Sequence, residues 1–317
     1  MFKVGLIGCG NIVNSHVSAI AHVDELTVTA ACDISEANLK RMCDKTGATG
    51  YSDYKEMVKN EELDLVIISL PHALHREATC FCAEAGLDIF LEKPMGISSD
   101  DCREMIDACN KAGVMLWVGH PQRYFPTNMF AKELIDSGEL GELVGFDETR
   151  NCEYFTENRP KWFLTKSMSG GGIMFNLGAH ALDKIKYFCG DEKIAFATGS
   201  AHIREGFDCE DSAQGFVKMA NGVSGTLNLI AHTKAYRYED ILYLTKGEIR
   251  IANGEVYYCG EDGVFKTQTF EIVHDNFVLQ LMDVVKALKS PDKKPAVDGD
   301  FGLDVIHAIK CIYGEEK

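Results

Sequence analysis

Over its first 120 residues the chain alternates short apolar runs with longer amphipathic ones, and this pattern constrains the fold more than any other feature. Lys3–Ile7, Thr27–Cys32, Asp64–Leu70, Asp88–Leu91 and Val114–Gly119 are rich in Val, Ile and Leu and read as buried strands. Between and after them, Asn14–His22, Glu36–Lys45, Tyr54–Lys59, Leu74–Ala85 and Ser98–Lys111 carry helical periodicity. Strand and helix in regular alternation specify a doubly wound parallel sheet with helices on both faces. Ser98 and Ser99 are candidates for a helix cap, with Asp100 and Asp101 favouring the first turn.

After about residue 123 the pattern changes. Helical segments at Thr127–Ser137 and Ile173–Cys189 flank a strand at Val144–Thr149 and an irregular stretch from Asn151 to Ser169. A run of strands follows: Ile194–His202, Ala213–Met219, Val223–Ala231, Ile241–Leu244, Glu248–Ile251, Val256–Tyr258 and Val264–Thr269. Turn signals such as Ala220-Asn221-Gly222 and Asn253-Gly254 argue that these strands connect in antiparallel fashion. Helices at Asn276–Lys289 and Gly302–Tyr313 close the chain. The expected division is therefore a dinucleotide-binding domain over residues 1–123 and a second domain, α+β in class, over 124–317.

Composition removes several function classes. No stretch approaches the roughly 18 uninterrupted apolar residues of a membrane span. With 32 basic and 48 acidic residues the formal charge is −16, which repels a polyphosphate backbone, so no nucleic-acid partner is expected. The 12 cysteines are scattered and include no Cys-x-x-Cys pair; they read as small buried hydrophobes, and no metal site is expected. Met1 to Ile7 reads directly as a strand rather than a signal peptide, which favours a reducing, cytoplasmic setting.

Three motifs carry chemistry. Gly8-Cys9-Gly10 lies between the first strand and the first helix, where glycine lets the backbone approach a pyrophosphate and the helix start at Asn11 and Ile12 offers unpaired N–H groups. The fingerprint expects a small residue at position 13, where this chain has Val13. Asp33, at the end of the second strand, suits the adenosine ribose hydroxyls and would repel a 2′-phosphate. Second, Glu92-Lys93-Pro94 follows the fourth of the strands, so Lys93 is delivered to the carboxyl end of the sheet, where ligands of open α/β folds bind. Third, Gly170-Gly171-Gly172 precedes a helix on which Asn176, His180 and Asp183 fall at i, i+4 and i+7, a polar line on one face.

These motifs, in this order, resemble the glucose-fructose oxidoreductase, inositol dehydrogenase and MocA-like family from Met1 to the last helix. The likeness also takes in the Leu70-Pro71-His72 to His75 segment and Arg123. It implies an N-terminal Rossmann domain and a C-terminal α/β domain with a large, mostly antiparallel open sheet. The implied reaction is hydride transfer between nicotinamide and a secondary alcohol or ketone of a sugar or polyol. NAD is the expected cofactor, with NADP left open because Ser35 lies near Asp33. Residue by residue, the family's catalytic lysine falls on Lys93 and its histidine on His180, while the usual aspartate four residues earlier is replaced by Asn176. The cofactor-binding set is Gly8, Gly10, Asn11, Ile12, Asp33, Leu70, Pro71, His72, His75, Glu92 and Lys93. Asn176, Asp183, Arg123, Tyr124 and Trp162 form the expected substrate-binding set.

Several choices stay open at this level. Either His180 or a desolvated Lys93 serves as the base, and Arg123 either lines the pocket or ties the domains together. Arg159, Lys161 and Trp162 either face ligand or pack their own loop. His16 and His22 read as residues of the fold rather than the site, and His232, Lys234 and Tyr236 as one face of a strand end. An apolar sheet face of the implied size points to a homodimer or homotetramer. Two other functions compete with the dehydrogenase: a non-catalytic NAD(P)-sensing regulator, hinted at by Asn176, and an NAD-dependent glycoside hydrolase.

Overall fold

The structure is a computed structural model describing residues 1–156, 158–271, 275–290, 292 and 294–317. It forms two compact units, Met1–Pro121 with His274–Leu303, and Gln122–Val273 with Asp304–Lys317.

In the first unit six parallel strands, β1 (Phe2–Ile7), β2 (Leu26–Cys32), β3 (Thr49–Tyr51), β4 (Leu65–Ile68), β5 (Asp88–Glu92) and β6 (Leu116–Gly119), lie in the order β3-β2-β1-β4-β5-β6. The crossovers are α1 (Val13–Ile20), α2 (Glu36–Thr46), α3 (Tyr54–Asn60), α4 (His75–Glu84) and α5 (Ser99–Ala112). Strand order reverses between β1 and β4, which sets a ligand crevice at the carboxyl ends of those strands. β4 is buried along its whole length, as expected of a strand covered on both faces. Ser98 caps α5 by accepting from the Asp101 amide at 3.1 Å, while Ser99 lies inside the helix. β3 went unseen in the sequence because Thr-Gly-Tyr is too short to show a period.

The second unit contains α6 (Pro126–Ser137), β7 (Leu143–Glu153), α7 (Lys166–Ser169), α8 (Ala179–Phe188), β8 (Ile194–Ile203), β9 (Glu210–Met219), β10 (Ser224–Ile230), β11 (His232–Leu244), β12 (Gly247–Ala252), β13 (Glu255–Cys259) and β14 (Lys266–Gln268). Its sheet runs β14-β13-β12-β11-β7-β10-β9-β8 and is antiparallel except where β10 pairs with β7. β7 alternates strictly: Phe146, Glu148, Arg150 and Cys152 point to the packed face. Two of those four are charged, and Lys184 of α8, itself paired with Asp240 of β11, meets Glu148. Lys184 Nζ lies 3.1 Å from Glu148 Oε2 and also bonds both oxygens of Asp240, while Arg150 pairs with Glu148 and donates to Gln122 Oε1 at 2.8 Å. Burial pulls the Lys184 ammonium down to about 8 against the attraction of Glu148.

Two sequence expectations change. A single cut after residue 123 does not describe the chain, because α9 (Asn276–Lys289) returns to the first unit. Its stripe of Val278, Leu281, Val284, Val285 and Leu288 joins Val13 and Val17 of α1 in one core, and burying side chains of this size stabilises by roughly 1.5–3 kcal/mol each. α10 (Gly299–Ile312) begins in the first unit and ends in the second, where Ile312 seats on Gly199 and Gly215. The helix expected over Ile173–Cys189 is also not uniform: Met174–Gly178 is a π-helical turn, and α8 follows it. Of the 12 cysteines, Cys43, Cys80 and Cys311 are half-buried and the rest are buried; burial raises the thiol of Cys9 to about 12.

Lys184→Met should leave Glu148 and Asp240 facing one another without their shared cation. We expect a loss of about 3–5 kcal/mol, read as a fall in melting temperature on the order of 10 °C, whereas an unchanged midpoint would mean the cluster is not holding α8 to the sheet.

Candidate functional site

In the first unit the loops after β1, β4 and β5 meet. Gly8 has φ +91°, and a Cβ there would lie 2.6 Å from the Ser69 carbonyl, so only glycine lets the two loops touch. A Cβ on Gly10 would meet nothing within 4 Å: that side of the turn is open. No side chain caps α1; the Asn14 and Ser15 amides donate to the Asn11 and Ile12 carbonyls at 3.2 and 3.0 Å, and Asn11 and Ile12 lie exposed ahead of them, on the side where a ligand would meet the helix start. Val13 is fully buried in the core instead of being small. Asp33 Oδ2 accepts from the Cys9 amide at 2.7 Å and Oδ1 from the Ser35 amide at 2.7 Å. Arg41 donates to the Cys9 carbonyl at 2.6 Å, so the turn is braced from both sides. The open glycine, the uncapped helix start and the acid at the end of β2 together fit a dinucleotide, with a lone pair left on each Asp33 oxygen.

Lys93 is half-buried just beyond β5, and its peptide bond to Pro94 is cis. Beneath it, Glu92 Oε2 accepts from the Lys93 amide at 3.2 Å, while Oε1 accepts from His16 Nε2 of α1 at 2.6 Å. The His16 ring is fully buried, edge-on to Phe90 and Phe277 at 5.2 Å each. Burial pushes the Glu92 carboxyl up, but the His16 hydrogen bond and the charges of His16 and Lys93 outweigh it and hold the group below its ordinary value.

His75 is equally buried. Its Nδ1 sits 3.1 Å from the Pro94 carbonyl and 3.2 Å from that of Met95, and its Nε2 is 2.9 Å from the Leu70 carbonyl. Burial lowers its pKa, although the carbonyls pull the other way. Glu92 and His75, both expected as cofactor contacts, also support the loops from beneath, Glu92 by accepting one hydrogen bond on each oxygen and His75 by lying among three backbone carbonyls. His72 is 5% exposed and its ring lies 5.7 Å from that of His75, whereas Leu70 and Pro71 are half-buried.

In the second unit the triple glycine lies against β9. A Cβ on Gly172 would come within 2.0 Å of the Glu210 carbonyl oxygen. The Glu210 carboxylate, 4% exposed, accepts from the Gly172 amide at 2.6 Å, the Met174 amide at 2.9 Å and the Tyr313 hydroxyl at 2.7 Å. It does for this helix start what an adjacent cap residue does elsewhere. The π-helical turn then leaves Asn176, Leu177 and His180 half-buried amid closed neighbours. Asn176 Nδ2 donates to the Tyr154 hydroxyl at 3.2 Å, and burial raises that phenol to about 12.

The polar line does not continue to Asp183. That carboxylate is fully buried and accepts from Arg123 Nη2 at 2.7 Å and Nε at 3.1 Å, with Asp191 at 3.2 Å on the same guanidinium. Burial pushes Asp183 up to about 6 even though Arg123 opposes the shift, and the surrounding carboxylates raise Arg123 against its own burial. Both residues were expected at the substrate; they are corrected to a buried ion pair that fixes α8, because the π-helical turn rotates Asp183 away from the half-open face. Tyr124 is half-buried beside Arg123, and Trp162 stacks on Phe163 at 3.8 Å. Sequence reasoning missed Glu210 and Tyr154, and it placed His16 in the fold without seeing its link to Lys93.

A parallel sheet with an open dinucleotide turn, followed by a unit on a broad and mostly antiparallel sheet, defines a two-domain oxidoreductase of the NAD-binding Rossmann class. Comparison with known families matches residues 2–120 to the Gfo/Idh/MocA oxidoreductase family with its NAD-binding Rossmann fold, and residues 129–250 to the C-terminal domain of the same family. The chain belongs to the Gfo/Idh/MocA family. Among its relatives is the myo-inositol 2-dehydrogenase of Thermotoga maritima, 26% identical over 95% of this chain and 92% of the relative. Another is the D-xylose 1-dehydrogenase (NADP+) 2 of Haloferax volcanii, 26% identical over 98% of this chain and 95% of the relative. Among solved structures, the WlbA dehydrogenase of Bordetella pertussis in complex with NADH and UDP-GlcNAcA superposes with a TM-score of 0.86 at 22% identity, covering 99% of this chain and 95% of that one, a likeness of fold.

The Glu92 carboxyl has a folded pKa below its ordinary 4.5, so its stabilising effect is complete above that pH and is lost as the pH falls through the lower folded value. Glu92→Gln should therefore lower the melting temperature at pH 7 by on the order of 5 °C, from about 1–3 kcal/mol, and the gap from the parent should narrow below pH 4.5. A gap that does not depend on pH would remove the charge from the account of His16 and Glu92.

Proposed function

We propose that the chain is an NAD-dependent dehydrogenase or reductase acting on a secondary alcohol or ketone of a sugar, polyol or sugar derivative. The single observation that carries this reading is the link from the dinucleotide helix α1 through His16 and Glu92 to Lys93. It couples the cofactor-binding helix to the backbone amide of the residue that carries the candidate catalytic ammonium. The dehydrogenase relatives, acting by name on inositol and xylose, support the substrate class.

The cofactor would be held by the open side of Gly10, the amides at the start of α1, and Asp33 at the ribose. The Asp33 charge disfavours a 2′-phosphate, so NAD is preferred to NADP. NAD, when bound, supplies the acceptor or donor for the hydride. Lys93 hydrogen-bonds the substrate oxygen and stabilises the charge that develops there, while His180 takes the hydroxyl proton. Asn176 cannot ionise; it orients a substrate hydroxyl through its amide, with Tyr154 fixing the amide at 3.2 Å. Trp162 and Tyr124, both half-buried, are retained as substrate contacts.

A panel of sugars and polyols followed by nicotinamide absorbance tests the reading. Lys93→Met and His180→Asn should each lower kcat at least about 100-fold, roughly 2.7 kcal/mol, while NADH affinity by fluorescence stays within about threefold. Turnover within tenfold of the parent in Lys93→Met sinks the assignment. NADH binding without any turnover would favour the sensor, and glycoside cleavage without net cofactor change the hydrolase.

We further propose that the enzyme is cytoplasmic and assembles as a homodimer or homotetramer through the open face of its eight-stranded sheet. Phe196 and Phe216 are 53% and 41% exposed there, on neighbouring strands with ring centroids 6.4 Å apart. Phe216→Glu should shift the mass in light scattering towards that of a single chain, and an unchanged mass would place any interface elsewhere.

A further inference from the structure

The chain carries 16 more acidic than basic residues, and its arginines are mostly neutralised. Of its nine arginines, six sit against a carboxylate. Among the described residues Arg41, Arg159 and Arg204 do not. Arg41 braces the Gly8-Cys9-Gly10 turn, where an anionic dinucleotide is expected. Arg159 and Arg204 lie along a single aromatic ladder in the second unit.

That ladder holds the Arg159 guanidinium in place. Its Cζ lies 3.7 Å from the Tyr154 ring centroid and 5.3 Å from that of Phe163, and its Nε donates to the Tyr154 carbonyl at 2.6 Å. Tyr154 meets Phe155 at 5.6 Å, and Phe155 meets Arg204 at 5.0 Å. Among the described residues the Nη groups of Arg159 have no acceptor. A half-buried guanidinium with its plane fixed, its Nε used and its outer edge unanswered is arranged to receive a planar or tetrahedral oxyanion by two parallel hydrogen bonds.

The position says which oxyanion is meant. The ring that Arg159 stacks on is the one whose hydroxyl receives the Asn176 amide, and His180 follows Asn176 by one turn. A molecule touching Asn176 and His180 therefore has Arg159 within the same contact chain.

We propose that Arg159 is a specificity residue that binds an anionic oxygen group, a carboxylate or a phosphate, carried by the sugar substrate, so that the preferred substrates are acidic sugars rather than neutral polyols. The proposal rests on the reading of Asn176 and His180 as substrate-facing. It concerns selection among substrates and leaves the proton and hydride steps as they were.

The test is calorimetry and steady-state kinetics with NAD present, using hexuronates, aldonates, hexose 6-phosphates and the matching neutral hexoses as probes. The parent should bind its best anionic probe at least tenfold more tightly than the neutral counterpart. Arg159→Met should erase that difference chiefly through KM or Kd, leaving NAD affinity unchanged. Arg159→Lys, which keeps a charge without the fork, should retain only part of the preference. The uronate and aldonate arms report a carboxylate, and the 6-phosphate arm a phosphate. Equal affinity for neutral and anionic probes in the parent, no binding of any anionic probe, or a preference intact in Arg159→Met overturns the proposal. If Arg159→Met is poorly folded by its melting curve, the Lys variant decides, and an undiminished preference there overturns it. Arg159-dependent binding of an anionic probe without turnover of any probe would uphold the anion site while removing the oxidoreductase reading.

Discussion

The buried hydrogen bond from His16 to Glu92 is the constraint on which the first unit turns. It joins two elements with separate tasks, the helix that begins at the dinucleotide turn and the strand end that delivers Lys93. A carboxylate at this depth carries a desolvation penalty of several kcal/mol unless it is paired, so the pair holds together only while α1 and β5 keep their spacing. Phe90 and Phe277 wall the imidazole on two sides, which excludes water and strengthens the bond. Phe277 comes from α9, and the late return of the chain to the first unit is therefore part of how the Lys93 loop is held.

His75 does for the loops what His16 does for the helix. It stands between the Leu70 carbonyl of the loop after β4 and the Pro94 and Met95 carbonyls of the loop after β5, with one N–H to donate in the neutral form that burial favours, and Gly8 lets the loop after β1 lie on Ser69. The second unit uses the same device with a different residue. Glu210 ties the helix carrying Asn176 and His180 to β9, and the buried charges of Lys184, Glu148, Asp240, Arg123 and Asp183 pin the following turns of α8. In each case a buried polar group fixes a backbone, and the residue proposed to meet the ligand lies beside it, half-buried.

This division explains what was legible in the sequence. The parallel sheet was readable because both of its faces are covered and its strands are continuous apolar runs; β3, three residues long, was not. The Gly8-Cys9-Gly10 turn, Asp33, Lys93 and His180 could be singled out as candidates because each belongs to a pattern of neighbouring residues. The partners that position them are not local: His16 and Glu92 are 76 residues apart, Gly172 and Glu210 are 38 apart, and Arg123 and Asp183 are 60 apart. A helical count placed Asn176, His180 and Asp183 on one line, but the count assumes 3.6 residues per turn. The π-helical turn at Met174–Gly178 breaks that assumption, and the third residue turns inward to Arg123.

The same distinction bears on the arginines. Arg123 and Arg159 looked alike in the sequence, each a basic residue near an expected pocket. Their surroundings separate them. Arg123 is 5% exposed and answered by Asp183 and Asp191, so its charge is spent inside the protein. Arg159 is half-buried and answered, among the described residues, by an aromatic face and one carbonyl. A ring face and a carbonyl orient a guanidinium without neutralising it. In a protein with so large an acidic surplus, a cation held in this way beside Tyr154 keeps its charge, whereas six of the nine arginines have theirs answered by a carboxylate.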